Sequence, residues 1–352
     1  MKPAIRVLVV DDSALVRQIL THVLGGAAHI EVVGVARNGI EAIAAVKALE
    51  PDVVTLDIQM PEMDGMEALR LIVRDSDARV VMLTSVDDPD TTYQALEGGA
   101  TEFIVKPREG LATSIDRLSV ELVRAIRAAD ATSPEKRQRS APPTASAAPA
   151  VAQVATDPER IVCIGASTGG PLALDKVFAG LQADLSAAFL VVQHLPVGFA
   201  VSLAGRLSKV AGFPVSEAKD GVRILAGQGY VAPYGTHMRI EGEPGKPTRI
   251  ELVSGPSIHG LIPAADPLFE SVAEAYGRKA VGVVLTGMGS DAAVGLLAIR
   301  EAGGHTIAQD EETSVVWGMP GAAVKIGAAQ TVAPIDRVAV EIRRALRNGG
   351  EK

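Results

Sequence analysis

The sequence predicts an α/β protein of two domains, each organised around a parallel sheet. Three observations carry that prediction. Brief Val/Ile/Leu-rich runs alternate with amphipathic helical patterns, as in a doubly wound sheet. A long Pro/Ala/Ser-rich stretch without apolar periodicity interrupts the alternation. A length of 352 residues argues for two domains more readily than one.

In the first segment Arg6–Val10, Glu31–Val35, Val53–Leu56, Val80–Leu83 and Glu102–Val105 read as buried strands. Leu15, Ile19 and Val23, then Ile43, Val46 and Leu49, mark helices between them, and Ser114–Ala129 forms a further helix. Asp130–Pro158 reads as a flexible linker, whose basic run through Lys136, Arg137 and Arg139 reads as a solvated charge run, with a docking patch as the alternative. Strands and helices resume from Arg160 to about Arg347. The expected boundaries are 1–129, a linker over 130–158, and a second domain over 159–350.

Composition narrows the function. Apolar residues at 47% with aromatics at only 3% suit aliphatic parallel strands buried on both faces. A net charge of −8 argues against nucleic acid or an anionic membrane surface as a partner. The single cysteine, Cys163, excludes an intramolecular disulfide and reads as a core residue. No apolar stretch reaches membrane-spanning length, and the N-terminus does not read as a signal peptide, so a cytoplasmic protein is predicted.

Two constellations carry chemistry. In the first, Asp11 and Asp12 follow the first strand, Asp57 the third, Thr84-Ser85 the fourth and Lys106-Pro107 the fifth. A parallel sheet gathers these positions at the carboxyl ends of its strands. Carboxylates crowded there call for a hard cation, and Mg²⁺ is the natural candidate. Lysine and hydroxyl groups suit phosphoryl oxygens, and an Asp carboxylate can attack phosphorus to give an aspartyl-phosphate. Surface carboxylates often follow strands merely because loops are polar, but that hardly explains all five positions in order.

With Val9-Val10-Asp11-Asp12-Ser13, Leu56–Gly65, Thr84-Ser85 and Lys106-Pro107, this segment resembles a response-regulator receiver domain. The resemblance implies a flavodoxin-like fold with a five-stranded parallel sheet. It also implies that Asp57 accepts phosphate from a chemotaxis histidine kinase, and that Asp11 and Asp12 hold Mg²⁺ with it. Thr84 and Lys106 would contact the phosphoryl group, with Phe103 at the aromatic switch position.

The second constellation begins at Ile161–Pro171, an apolar run leading into Gly165-Ala166-Ser167-Thr168-Gly169-Gly170 and then a helix. A serine among glycines at a strand-to-helix turn reads as a nucleophile, with a tight turn or a phosphate loop as the alternatives. His194 comes directly after the strand Phe189–Gln193, and Asp291 comes after Ala280–Leu285 through the loop Thr286–Gly289. One crevice at the strand ends can collect all three, giving nucleophile, base and orienting carboxylate. Thr168 and that glycine-rich loop are candidate oxyanion donors. The plainer readings are a backbone-bonded strand-end histidine, and an aspartate capping its own following helix. His237 is a reserve base.

The segments Ile164–Pro171, Val192–Pro196, Leu285–Asp291, Ala308–Glu311 and Val315–Gly321 resemble the chemotaxis protein-glutamate methylesterases. The resemblance spans nearly the whole chain and implies a doubly wound, mostly parallel α/β catalytic domain behind the receiver. It implies hydrolysis of glutamate methyl esters on methyl-accepting chemoreceptor cytoplasmic domains, with deamidation of certain receptor glutamines and no cofactor for the ester chemistry. Ser167, His194 and Asp291 would be catalytic, with Gly165, Thr168 and Met288 shaping the oxyanion region. Ile262-Pro263-Ala264 stands where such proteins usually carry Arg-Pro-Ser, and Ala292 where a glycine commonly comes after the aspartate. An esterase of a specialised chemosensory array, or of a small-molecule ester, is the alternative function.

Overall fold

The structure is a computed structural model and describes residues 3–84, 89–106, 112–132, 156–181, 186–242 and 247–348. Ser85, Pro107, most of the expected linker with its basic run (133–155), and residues 349–350 lie outside the described residues. The chain divides into two compact units, Met1–Ala141 and Pro142–Lys352.

The first unit alternates β1 (Ile5–Val10), α1 (Ala14–Gly25), β2 (Ile30–Ala36), α2 (Gly39–Leu49), β3 (Val53–Asp57), α3 (Gly65–Asp75), β4 (Arg79–Thr84), α4 (Pro89–Glu97), β5 (Glu102–Val105) and α5 (Ala112–Asp130). Its five strands run parallel in the order β2-β1-β3-β4-β5. Central β3 is buried along its whole length, which is why its sequence does not alternate with polar residues. Ser13, Asn38 and Asp64 each accept a backbone N–H of the first turn behind them, which fixes the starts of α1, α2 and α3. Leu20, Leu24, Leu118, Leu122 and Ile126 pack onto Val7, Val9, Val81 and Leu83 from one side of the sheet. Each such fully buried aliphatic contributes roughly 1.5–3 kcal/mol before its ordering entropy is charged against it.

The second unit opens with β6 (Arg160–Ala166), α6 (Gly170–Ala179), β7 (Ala187–Gln193), α7 (Phe199–Ala211), β8 (Val215–Glu217) and β9 (Gly229–Val231). An antiparallel hairpin comes next, β10 (His237–Glu241) with β11 (Arg249–Val253). Then come α8 (Asp266–Tyr276), β12 (Ala280–Val284), α9 (Ala293–Glu301), β13 (His305–Gln309), α10 (Met319–Lys325), β14 (Thr331–Ala333) and α11 (Ile335–Asn348).

Seven strands form one sheet in the order β14-β13-β12-β6-β7-β9-β8, and its pairings are parallel. β6 lies between β12 and β7, so the chain leaves it towards one edge and later returns on its other side. That reversal opens a crevice beyond the carboxyl ends of β12, β6 and β7. Cys163 is fully buried in the core with Leu190, Leu268 and Phe269, and burial pushes its thiol well above its ordinary range. Among the described residues no helix is long and apolar enough to cross a membrane.

Candidate functional site

β6 ends at Ala166 and β7 at Gln193, and these two residues are in register. Ser167 and His194 therefore leave adjacent strands side by side. The His194 N–H donates to the Ala166 carbonyl at 3.1 Å, and the Ser167 N–H to the Thr286 carbonyl at 3.0 Å. The Ser167 carbonyl accepts the Gly170 N–H at 2.7 Å as the chain turns into α6, whose first turn holds Pro171. Gly169 makes the turn at φ +74, where a Cβ would also sit 2.6 Å from Val315.

Asp291 is fully buried, and its Oδ2 accepts from His194 Nε2 at 2.7 Å and from the Ala265 N–H at 2.7 Å. Its Oδ1 accepts the Asp266 N–H at 3.2 Å. Asp291 thus caps α8, not the helix that comes after it in sequence. Asp266 answers from the other side, accepting the Gly295 N–H of α9 at 2.7 Å. Burial pushes the Asp291 carboxyl up, but the His194 ring and the two amides outweigh it and hold the group below the usual carboxylate range. Asp266 stands above that range, chiefly through burial.

The imidazole has a definite orientation. Nε2 faces Asp291, and Nδ1 is buried without a hydrogen-bond partner among the described residues. With the Nε2 proton donated to the carboxylate, Nδ1 carries the free lone pair. The ring is turned the opposite way from the serine-protease arrangement, where Nδ1 meets the aspartate. Ser167 stands at the next strand end, with no side-chain hydrogen bond to the ring among the described residues.

The loop after β12 is stitched to the serine turn. The Thr286 hydroxyl donates to the Thr168 carbonyl at 3.0 Å and accepts the Val316 N–H at 2.9 Å. The Gly287 N–H is committed to Val316 O at 3.0 Å, while the next amide, the Met288 N–H, has no acceptor among the described residues. Thr168 is buried and Met288 half-buried. Gly165 lies beneath them: its carbonyl accepts the Leu285 N–H, and a Cβ would come 3.0 Å from Ala292 Cβ and 3.2 Å from Ala265 Cβ. Its contribution is the space that lets those two alanines approach. His237 is not an available base, because Nδ1 accepts the Ala264 N–H and Nε2 donates to Pro256 O, both at 3.1 Å.

In the first unit Asp11, Asp12 and Asp57 offer oxygens within 4.8 Å of one another. Lys106 Nζ lies 2.8 Å from Asp11 Oδ2 and 2.7 Å from Asp57 Oδ2. Burial pushes Asp57 up to about 6 against the pull of Lys106, and Asp11 adds to the rise. The Lys106 ammonium is held above its ordinary value by these carboxylates, which overcome its own burial. One lysine for three acids leaves negative charge uncompensated, and all-oxygen donors with a solvent-facing Asp12 fit Mg²⁺. Asp12, Asp57, Thr84 and Lys106 line a cavity of about 270 Å³. The Thr84 hydroxyl is 2.8 Å from that of Thr92, and Phe103 is buried on β5.

The family profile described as CheB methylesterase matches residues 162–342, and that of the response regulator receiver domain matches residues 7–116. The chain belongs to the CheB methylesterase family. A relative from Symbiobacterium thermophilum named protein-glutamate methylesterase/protein-glutamine glutaminase is 44% identical, covering 98% of this chain and 98% of that protein. One of the same name from Pyrococcus horikoshii is 42% identical over 98% of this chain and 95% of its own length. The crystal structure of the Thermotoga maritima CheB methylesterase catalytic domain superposes with a TM-score of 0.51 at 36% identity, covering 54% of this chain and 98% of that one.

Within this CheB-family site, sequence reasoning passed over three buried polar side chains. Gln193 donates from Nε2 to the carbonyls of Ser167 and His194. Gln309 accepts the Thr286 N–H at 2.8 Å, and Asp266 caps α9. A signal existed for the two glutamines: each ends an apolar strand, where a buried amide must find partners.

Proposed function

We propose that residues 159–350 form a protein-glutamate methylesterase that also deamidates receptor glutamines. Residues 1–129 form the receiver that activates it when phosphorylated, and 130–158 the linker. The observation that supports this most directly is the His194 ring, bonded through Nε2 to an ionised Asp291 and leaving Nδ1 buried and open beside the serine turn.

Ser167 loses its hydroxyl proton to His194 Nδ1 and attacks the ester carbonyl. Asp291 stabilises the imidazolium that forms. The Met288 and Thr168 N–H groups are assigned to the oxyanion, with Gly165 supporting the loop from below. His194 returns the proton to the leaving oxygen, methanol departs, and water cleaves the acyl-enzyme by the same base. Glutamine takes the same course with ammonia as leaving group.

In the receiver, Asp57 takes a phosphoryl group from a chemotaxis histidine kinase, and Thr84 and Lys106 bind its oxygens. Asp11, Asp12 and Asp57 would hold Mg²⁺, which neutralises charge on the phosphoryl oxygens when bound. Phe103 is assigned to the aromatic switch. The substrates are methyl-accepting chemoreceptor cytoplasmic domains, which places the reaction in the cytoplasm.

The test is methanol release from a methylated receptor cytoplasmic fragment, with and without Mg²⁺ and a small-molecule phosphodonor. Release that rises with phosphodonor and vanishes in Ser167→Ala is expected. Release that persists in Ser167→Ala would overturn the serine mechanism.

A further inference from the structure

We infer that Gln193 is a positioning residue that sets the spacing between the nucleophile turn and the base turn. The inference rests on the reading of Ser167 and His194 as nucleophile and base. The β6–β7 ladder ends at Ala166 and Gln193, so the two working residues lie just beyond the last registered pair. Past that point their carbonyls face a common space, and Gln193 Nε2 donates to both, at 2.9 Å to Ser167 O and 3.2 Å to His194 O. Because both acceptors are carbonyls, only the NH₂ end of the amide can face them.

The two turns depend on this amide unequally. The Ser167 carbonyl also accepts the Gly170 N–H, whereas the His194 carbonyl accepts from nothing else among the described residues. Gln193 is only 2% exposed, so water has little access to replace it. Its Oε1 lies against the start of α6, where a Cβ on Gly170 would collide with it and come 2.8 Å from Cδ. Gly170 therefore leaves the space that the amide oxygen occupies, and that oxygen has no hydrogen-bond partner among the described residues. Proton transfer requires about 2.6–3.2 Å between hydroxyl and ring nitrogen, so a base turn released by ~1 Å loses on the order of 100-fold in rate.

The experiment uses the full-length chain in four forms: wild type, Gln193→Ala, Gly170→Ala and the double variant, with circular dichroism confirming the fold of each. Methanol release gives kcat and KM, and labelling of Ser167 by a fluorophosphonate reports the serine–histidine pair without any receptor. Each single variant is expected to lower kcat and labelling on the order of 100-fold with KM within about twofold, since the carbonyl spacing and not the substrate surface is disturbed. Gly170→Ala should add only a small further loss in the Gln193→Ala background, where the amide it displaces is gone and only the Ala166 Cβ, 2.9 Å from the added methyl, has still to give; a fault unrelated to the amide would add in full. Wild-type kcat and labelling in Gln193→Ala, or a rise in KM alone, overturns the inference. So do independent, additive losses. If Gln193→Ala fails to fold, Gly170→Ala decides alone, and wild-type labelling there overturns the inference. Wild-type protein that labels at Ser167 but releases no methanol removes the proposed substrate and leaves the Gln193 comparison readable. Wild-type protein that does not label overturns both.

Discussion

Asp57 and Asp291 are both nearly inaccessible carboxylates, one ending a parallel strand and one beyond another, and they have opposite electrostatic fates. Asp57 is 3% exposed and pushed up to about 6, while Asp291 is fully buried and held below the usual carboxylate range. Burial disfavours the charge in both, so the donors decide. Asp57 shares Lys106 with Asp11, whose own charge opposes ionisation. Asp291 has an imidazole and two amides at the start of α8. The receiver carboxylate is under-compensated and receptive to a cation; Asp291 is a settled anion bonded to the His194 ring.

The sharpest way to break that contrast is Asp291→Asn. It removes the anion that stabilises the imidazolium, and either amide rotamer sets its NH₂ against an α8 N–H, that of Ala265 beside the ring or that of Asp266 on the far side. A loss of about 10⁴-fold in kcat for methanol release is expected, with the far-ultraviolet dichroism unchanged. Activity within tenfold of wild type would mean that the charge of Asp291 is not needed behind the ring.

Asp57→Asn tests the other half. It should abolish the phosphodonor response and leave basal esterase activity unchanged. Because the folded group binds its proton more tightly than the unfolded one, receiver stability falls as pH rises from the ordinary carboxylate range to about 6, and stays lower above it. Removing the charge should therefore stabilise the receiver unit at pH 7, by on the order of 1–2 kcal/mol after allowance for solvent screening. Calorimetric melts at pH 5 and pH 7 check this: the advantage of the variant should shrink at the lower pH.

Mg²⁺ sharpens the same point without mutation. At tenfold over its dissociation constant it should stabilise the wild-type receiver by about 1.4 kcal/mol. Asp57→Asn should shift less in the same thermal melt.

The smallest effect is expected for Asp266→Asn, which removes the like charge beside Asp291 but keeps an acceptor for Gly295. Stability by urea titration at pH 7 should change by less than about 1.5 kcal/mol, the scale of one hydrogen bond. A change large enough to prevent folding would show that α9 needs the charge itself.

Much of this arrangement is legible in the sequence because the signals are local. Apolar runs such as Val53–Leu56 and Phe189–Gln193 announce strands by themselves, and Ser167, His194 and Asp57 stand at or just past the ends of such runs. The missed features are long-range. A local reading of Asp291 pairs it with the helix behind it, yet its amides come from Ala265 and Asp266, 26 and 25 residues earlier. The choice of His194 nitrogen has no sequence signature, since a ring flip changes no residue. His237 has a reserve-base setting on paper, and only the approach of Pro256 and Ala264 shows that both its nitrogens are occupied. Gly165 is read by motif as shaping the oxyanion region, and the space it leaves for Ala292 and Ala265 shows only in three dimensions.

The crossed caps of Asp266 and Asp291 make the orienting aspartate a structural clasp as well. Asp291, just ahead of α9, accepts the amides that open α8, and Asp266, in α8, accepts an amide of α9, so the two carboxylates tie the starts of both helices together. A fluctuation that parts the two helices strips Asp291 of its amides and leaves the His194 ring without a rigid partner, even while the strands stay paired. The two helix starts and the His194 ring therefore share one set of bonds, and whatever loosens α8 from α9 loosens the ring.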